Sequence, residues 1–120
     1  MAEVICEIMK LRPEKVNDYI ALHNNTWPEL VQALRKSGFI EEYIYVLDNL
    51  VMVIMKCEKF EDSKARLAAT DIFQKWTCLV REMLLEDESF LHTSDVLLDL
   101  SPVWRLDSFD EQGVYDSNFK

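Results

Sequence analysis

The chain of 120 residues predicts an α+β domain of the ferredoxin-like β-α-β-β-α-β sandwich type. Three observations carry this expectation. An opening run rich in Val and Ile, residues 3–10, is matched by two more, 39–47 and 50–58, divided by a short polar turn. Stretches with apolar residues at helical spacing lie before and after that pair. A last apolar run, 95–106, completes the order strand, helix, hairpin, helix, strand.

Each element has a local reason. Residues 3–10 (Glu-Val-Ile-Cys-Glu-Ile-Met-Lys) read as a strand. Pro13 ends it and opens a helix, where a fixed φ and a missing N–H do no harm. Val16, Tyr19, Ile20 and His23 repeat at helical spacing until Asn24-Asn25 breaks the pattern. Thr26-Trp27-Pro28-Glu29 restarts it, with Thr26 expected as the cap, Glu29 as the far side of a capping box and Pro28 in the first turn. Leu30, Ala33 and Leu34 continue the apolar stripe, and Gly38 is expected to close the helix. Leu47-Asp48-Asn49-Leu50 forms the tight turn of a hairpin. Phe60 and Glu61 lead into a helix through Ala69. Asp71 with Gln74 suggests a second capping box, before an apolar face of Ile72, Trp76, Leu79, Val80 and Met83. Residues 86–94 are acidic and irregular. Residues 95–106 are expected as the final strand, with Pro102 at its edge or entry. The domain is thus placed at 1–106, and 107–120 is expected to be a loose polar tail. Helices on one side of a four-stranded sheet leave the other side bare. Pairing two such sheets in a homodimer is the simplest cover.

Composition narrows the function classes. A hydrophobic content of 49% belongs to a globular chain. A net charge of −9 argues against nucleic acid and against an anionic membrane surface, both of which reward basic patches. Cys6, Cys57 and Cys78 are odd in number and lack CxxC spacing, so neither a disulfide framework nor a zinc site is expected. The N-terminus Met1-Ala2-Glu3-Val4 lacks a basic signal-peptide start and no apolar run reaches membrane length, so a cytoplasmic protein is expected. With two glycines there is no Gly-rich phosphate loop, and GxSxG and HExxH are absent, so no cofactor or metal is expected.

Chemistry concentrates in one place. Tyr19, His23 and Trp27 stand four apart and share one helix face. A phenol, an imidazole and an indole on one stripe suit a small polar ring: the aromatic faces stack on C–H bonds while His and Tyr exchange protons or hydrogen bonds. Of the two histidines, His92 lies in the acidic irregular stretch and reads as a surface residue. Trp76 reads either as core or, beside the polar Thr77, as the wall of a sugar pocket. Tyr43 and Tyr45, two apart, share one face of a strand, which sheet packing alone would explain.

Taken together, Tyr19-x-x-x-His23-x-x-x-Trp27-Pro28-Glu29-Leu30, Gly38, Ile44-Tyr45 and Thr70-Asp71-x-x-Gln74-x-Trp76 resemble the L-rhamnose mutarotase family, which is related to the L-fucose mutarotase group. The resemblance runs from about residue 4 to residue 106. It implies a dimeric α+β barrel and the interconversion of α and β anomers of a 6-deoxy sugar, a monosaccharide substrate handled without a cofactor. It implies that His23 is the proton donor, that Tyr19 contacts the sugar, and that Trp76 is the first of two positions lining it, the second being Thr77 here. The family's hairpin tyrosine falls on Glu42, one position from Tyr43, which joins Trp27 among the expected substrate contacts. The base is unassigned, with Glu42 a candidate by position. Two alternatives share the fold: a non-catalytic sugar-binding or interaction protein, and a cofactor-free enzyme of the monooxygenase kind.

Overall fold

A computed structural model describes residues 2–85 and 97–115. Strand β1 (Glu3–Lys10) is followed by a 3-10 turn (Pro13–Lys15), helices α1 (Val16–Asn24) and α2 (Pro28–Ser37), and the hairpin β2 (Phe39–Leu47) and β3 (Leu50–Cys57). Helices α3 (Phe60–Ala68) and α4 (Asp71–Arg81) come next, then β4 (Leu97–Leu100) and a second 3-10 turn (Leu106–Ser108). The sheet order is β2-β3-β1-β4 with every neighbouring pair antiparallel, so β1 and β3 are central. This is the expected α+β order, with each of its two helical segments broken into two pieces.

Alternation along the strands separates two faces. Ile5, Met9, Val51, Val53, Met55 and Cys57 turn inward and form the core with Tyr19, Phe39, Phe60 and Leu67. The opposite face holds Tyr43, Tyr45 and Leu47 of β2 and Leu100 of β4, all exposed. In β2 the pairing shifts between Phe39 and Glu41, where Ile40 is an extra residue. That bulge changes the phase of the strand, because one added residue sends every later side chain to the other face. Phe39 therefore shares the inward face with Glu42, Ile44 and Val46, which pair with Met55, Val53 and Val51.

The junctions use different chemistry from that expected. Thr26 does not cap α2: its hydroxyl donates back to the His23 carbonyl and closes α1, while Trp27, in extended conformation, holds the N-cap position. At α4 the cap is Thr70, whose hydroxyl accepts from the Phe73 amide at 3.3 Å and donates to the Leu67 carbonyl at 2.7 Å. Asp71, expected to cap, is instead the first helical residue, and Gln74 donates to the Ala68 carbonyl. The shorter side chain one position earlier has the extended backbone that a cap needs. Gly38 closes α2 with φ of 108°, as expected. Asp48 takes φ of 53° in the hairpin turn, and the Asn49 side chain donates to the Leu11 carbonyl at 2.9 Å. Glu3 Oε1 accepts from the Phe60 amide at 2.6 Å and so caps α3 from β1.

Only 97–100 of the expected final strand pairs with β1. Residues 95 and 96, the acidic stretch 86–94 and His92 lie outside the described residues. Within 107–115 the tail makes local contacts. Arg105 donates to the Ala2 carbonyl at 2.8 Å and pairs with Asp107, and Phe109 bridges to Tyr115 and stacks near Trp104. No described helix is long and apolar enough to cross a membrane.

Candidate active site

The helix spacing of Tyr19 and His23 brings their rings together, with centroids 4.1 Å apart. His23 lies edge-on to Trp76 of α4 at 5.1 Å, and Trp76 lies edge-on to Trp27 at the same distance. These are favourable T-shaped geometries. Four of the six expected site residues thus form one continuous group: Tyr19, His23, Trp76 and Trp27. The break between α1 and α2 serves this grouping, because it sets Trp27 at the start of a new helix.

His23 Nδ1 lies 2.8 Å from the Tyr19 carbonyl oxygen. A carbonyl only accepts, so Nδ1 carries the hydrogen and the neutral ring keeps its lone pair on Nε2. Burial holds the His23 pKa below the ordinary imidazole value, and the bond to the Tyr19 carbonyl offsets part of that. The imidazole is therefore a neutral base at pH 7. Tyr19 is itself buried. That burial, with the charges of Glu42 and Glu7, pushes the phenol upward and keeps it a hydroxyl.

The Tyr19 phenol lies within the electrostatic reach of two carboxyl groups on the sheet, Glu42 and Glu7. Glu42 shares the inward face of β2. Glu42 is exposed as a residue, yet protein atoms crowd its carboxyl, and this desolvation raises its pKa. Glu7 shares the inward face of β1 with Ile5 and Met9, and stands opposite Asp99 of β4. Its pKa is pushed up to about 7, by burial first, then by the hydrogen bond to Asp99 and the Asp99 charge; Lys64 opposes this and Glu42 adds to it. Glu7 was not singled out in the sequence. The available signal was one acid at an inward position between Ile5 and Met9.

Two expected contacts lie elsewhere. Tyr43 pairs with Ile54 on the far face of the sheet, with Tyr45, and is exposed. Thr77 is half-buried on α4, turned roughly 100° around the helix from Trp76. A cavity of about 470 Å³ beside Val4, Pro102, Trp104 and Arg105 is lined by none of the aromatic group, and its charged residues are the Arg105–Asp107 ion pair. A smaller one of about 200 Å³ lies between α2 and β2 and reaches Glu42. The residue chemistry, more than cavity size, marks the site. Among the described residues no group of three or more His, Cys, Asp or Glu could hold a metal ion.

Comparison with known proteins gives the family. Residues 4–106 match the family model for L-rhamnose mutarotase. An L-rhamnose mutarotase of Oceanobacillus iheyensis is 30% identical over 102 residues, covering 83% of this chain and 94% of the relative. The crystal structure of an L-rhamnose mutarotase from Formosa agariphila superposes with a TM-score of 0.66 at 24% identity, over 86% of this chain and 97% of that one. An antibiotic biosynthesis monooxygenase superposes with a TM-score of 0.54 at 16% identity, over 86% and 99%, and shares the fold alone. The family match includes β1 with Glu7, both helical segments and β4 with Asp99, and on that extent the chain belongs to the L-rhamnose mutarotase family.

Proposed function

We propose that this chain is an aldose mutarotase that interconverts the α and β anomers of a 6-deoxy sugar of the L-rhamnose or L-fucose type by acid/base ring opening and reclosure. The observation that carries the reading is the state of His23: Nδ1 is occupied by the Tyr19 carbonyl, burial favours the neutral ring, and Nε2 is left to exchange a proton. Mutarotation asks for little more. A proton reaches the ring oxygen, another leaves the anomeric hydroxyl, the C1–O5 bond opens to the aldehyde, C1 rotates, and the ring recloses on its other face. Tyr19 donates a hydrogen bond to the sugar, and the indoles of Trp76 and Trp27 stack on its apolar edge. The bare apolar face of the sheet supports a homodimer, and three free cysteines fit a reducing cytoplasm.

The test is saturation transfer between the anomeric protons of L-rhamnose and L-fucose, with wild type and His23→Ala. General acid–base catalysis contributes about 10²–10⁴-fold, and a loss of that order is expected in the variant. Exchange at the wild-type rate in His23→Ala would remove the central role of this residue. Sugar binding without exchange in wild type would select a non-catalytic sugar-binding protein.

A further inference from the structure

We propose that Glu7 is the acid that works with His23: its carboxyl gives a proton to the sugar ring oxygen while His23 Nε2 takes one from the anomeric hydroxyl. The inference rests on the mutarotase reading above and divides its proton transfers: His23, the proton donor that the resemblance implies, takes a proton on ring opening and donates it on reclosure, and Glu7 does the reverse.

Geometry places the proton. Glu7 on β1 and Asp99 on β4 are direct cross-strand partners on the inward face, so their carboxyl groups are neighbours, and a hydrogen bond from one to the other is among the causes that raise the pKa of Glu7. Two ionised carboxylates have only acceptors, so this bond requires a proton on one of them. Lys64 Nζ of α3 lies 3.3 Å from Asp99 Oδ2 and holds the negative charge there. The proton therefore belongs to Glu7. The charged groups that act on it are Asp99 from β4, Lys64 from α3 and Glu42 from β2, and Tyr19 of α1, whose ring lies against His23, is the phenol that Glu7 acts on in turn. Lys64 is the cation among them, and its bond goes to Asp99. Glu7 is half-buried, and in its ionised form it would raise the pKa of the same Tyr19 phenol whose ring lies against His23. A carboxyl raised to about 7 carries its proton in a large share of molecules at neutral pH and releases it readily. Two titratable groups whose surroundings push their pKa values in useful directions mark an acid and a base.

The step balances. Glu7 protonates O5 as the C1–O5 bond breaks, and His23 removes the proton from the hydroxyl on C1, giving the open aldehyde, a carboxylate and an imidazolium. After C1 rotates, the C5 hydroxyl attacks either face of C1. Its proton returns to Glu7, and His23 returns its own to the new anomeric oxygen. Both groups end as they began, with no oxidant, reductant or further reactant.

The experiment is the pH profile of anomer exchange for wild type, Glu7→Gln, Asp99→Asn and Lys64→Met, with sugar binding and circular dichroism recorded for each. Wild-type exchange is expected to fall on the alkaline side as Glu7 loses its proton. Glu7→Gln cannot donate and is expected to lose about 10²–10⁴-fold while still binding sugar. Asp99→Asn removes a negative neighbour and moves the alkaline limb to lower pH. Lys64→Met removes a positive one and moves it to higher pH. An active wild type with an indifferent Glu7→Gln, or an alkaline limb that stays fixed in both neighbouring variants, overturns this assignment alone. A wild type that accelerates no sugar overturns it together with the mutarotase reading.

Discussion

His23 and Glu7 reach opposite protonation states from one shared cause. Burial disfavours charge, which lowers the pKa of a base and raises that of an acid. The consequence for stability has a definite sign. With a carboxyl pKa of about 7 against an ordinary 4.5, the folded chain binds more protons than the unfolded chain between those values. Glu7 thus contributes stability that is present below the ordinary value and is lost as pH rises through about 7. The thermal midpoint of wild type is expected to fall across that window more than that of Glu7→Gln; parallel curves would refute it. His23 works the other way, losing stability as pH falls below the ordinary imidazole value, so the difference between the two proteins isolates Glu7. At this scale the helix residues were the legible part of the site, because spacing of four is geometry. The sheet residues were not. Ile40 shifts the phase of β2, so the tyrosine at 43 faces away and the glutamate at 42 faces in. A bulge leaves no mark in a run of β-formers.

The elements depend on a few terminal residues. Gly38 ends α2 in a left-handed conformation, and a Cβ added there would lie 2.7 Å from Ser63 Oγ and 3.0 Å from the Arg66 guanidinium. Arg66 already donates to the Ser37 carbonyl at 3.0 Å, so α3 is fastened to the end of α2 at this point. Gly38→Ala is expected to cost about 1–3 kcal/mol from backbone strain, with more from the crowding, read as a lower urea midpoint. An unchanged midpoint would mean that Ser63 and Arg66 move aside freely. The strand–helix order, the hairpin and this glycine could be read from sequence because each has a strong local signal. The caps at Thr26 and Thr70 could not, since a hydroxyl may bond forward or backward and the choice depends on the backbone. β4 ends at Leu100 although β1 runs on from Cys6 to Glu3, and Pro102, which has no N–H to offer a ladder, follows two residues later.

For the whole molecule the main feature is a sheet with one face covered. Tyr43, Tyr45 and Leu47 are between 52% and 64% exposed on the other. Monomers rarely leave such a patch in water. A second copy of the sheet is the occupant we propose for it, and Tyr45→Lys is expected to convert a dimer to a monomer in analytical ultracentrifugation. A wild type that sediments as a monomer would dismiss the pairing. The hydrophobic alternation made this face legible, whereas the bond from Arg105 to the Ala2 carbonyl, which ties the two ends of the described chain, leaves no mark in the sequence. The Glu7–Asp99 bond joins the first strand to the last. The β2–β3 hairpin can close by itself early in folding, since its partners are near in sequence, but meeting of β1 and β4 closes the longest loop in the sheet and comes at the greatest entropic cost. Before that closure the proposed acid has no neighbour to hold its proton, so no fragment or half-folded form of this chain has the pair, and a molecule that turns over sugar is one whose two ends have already met.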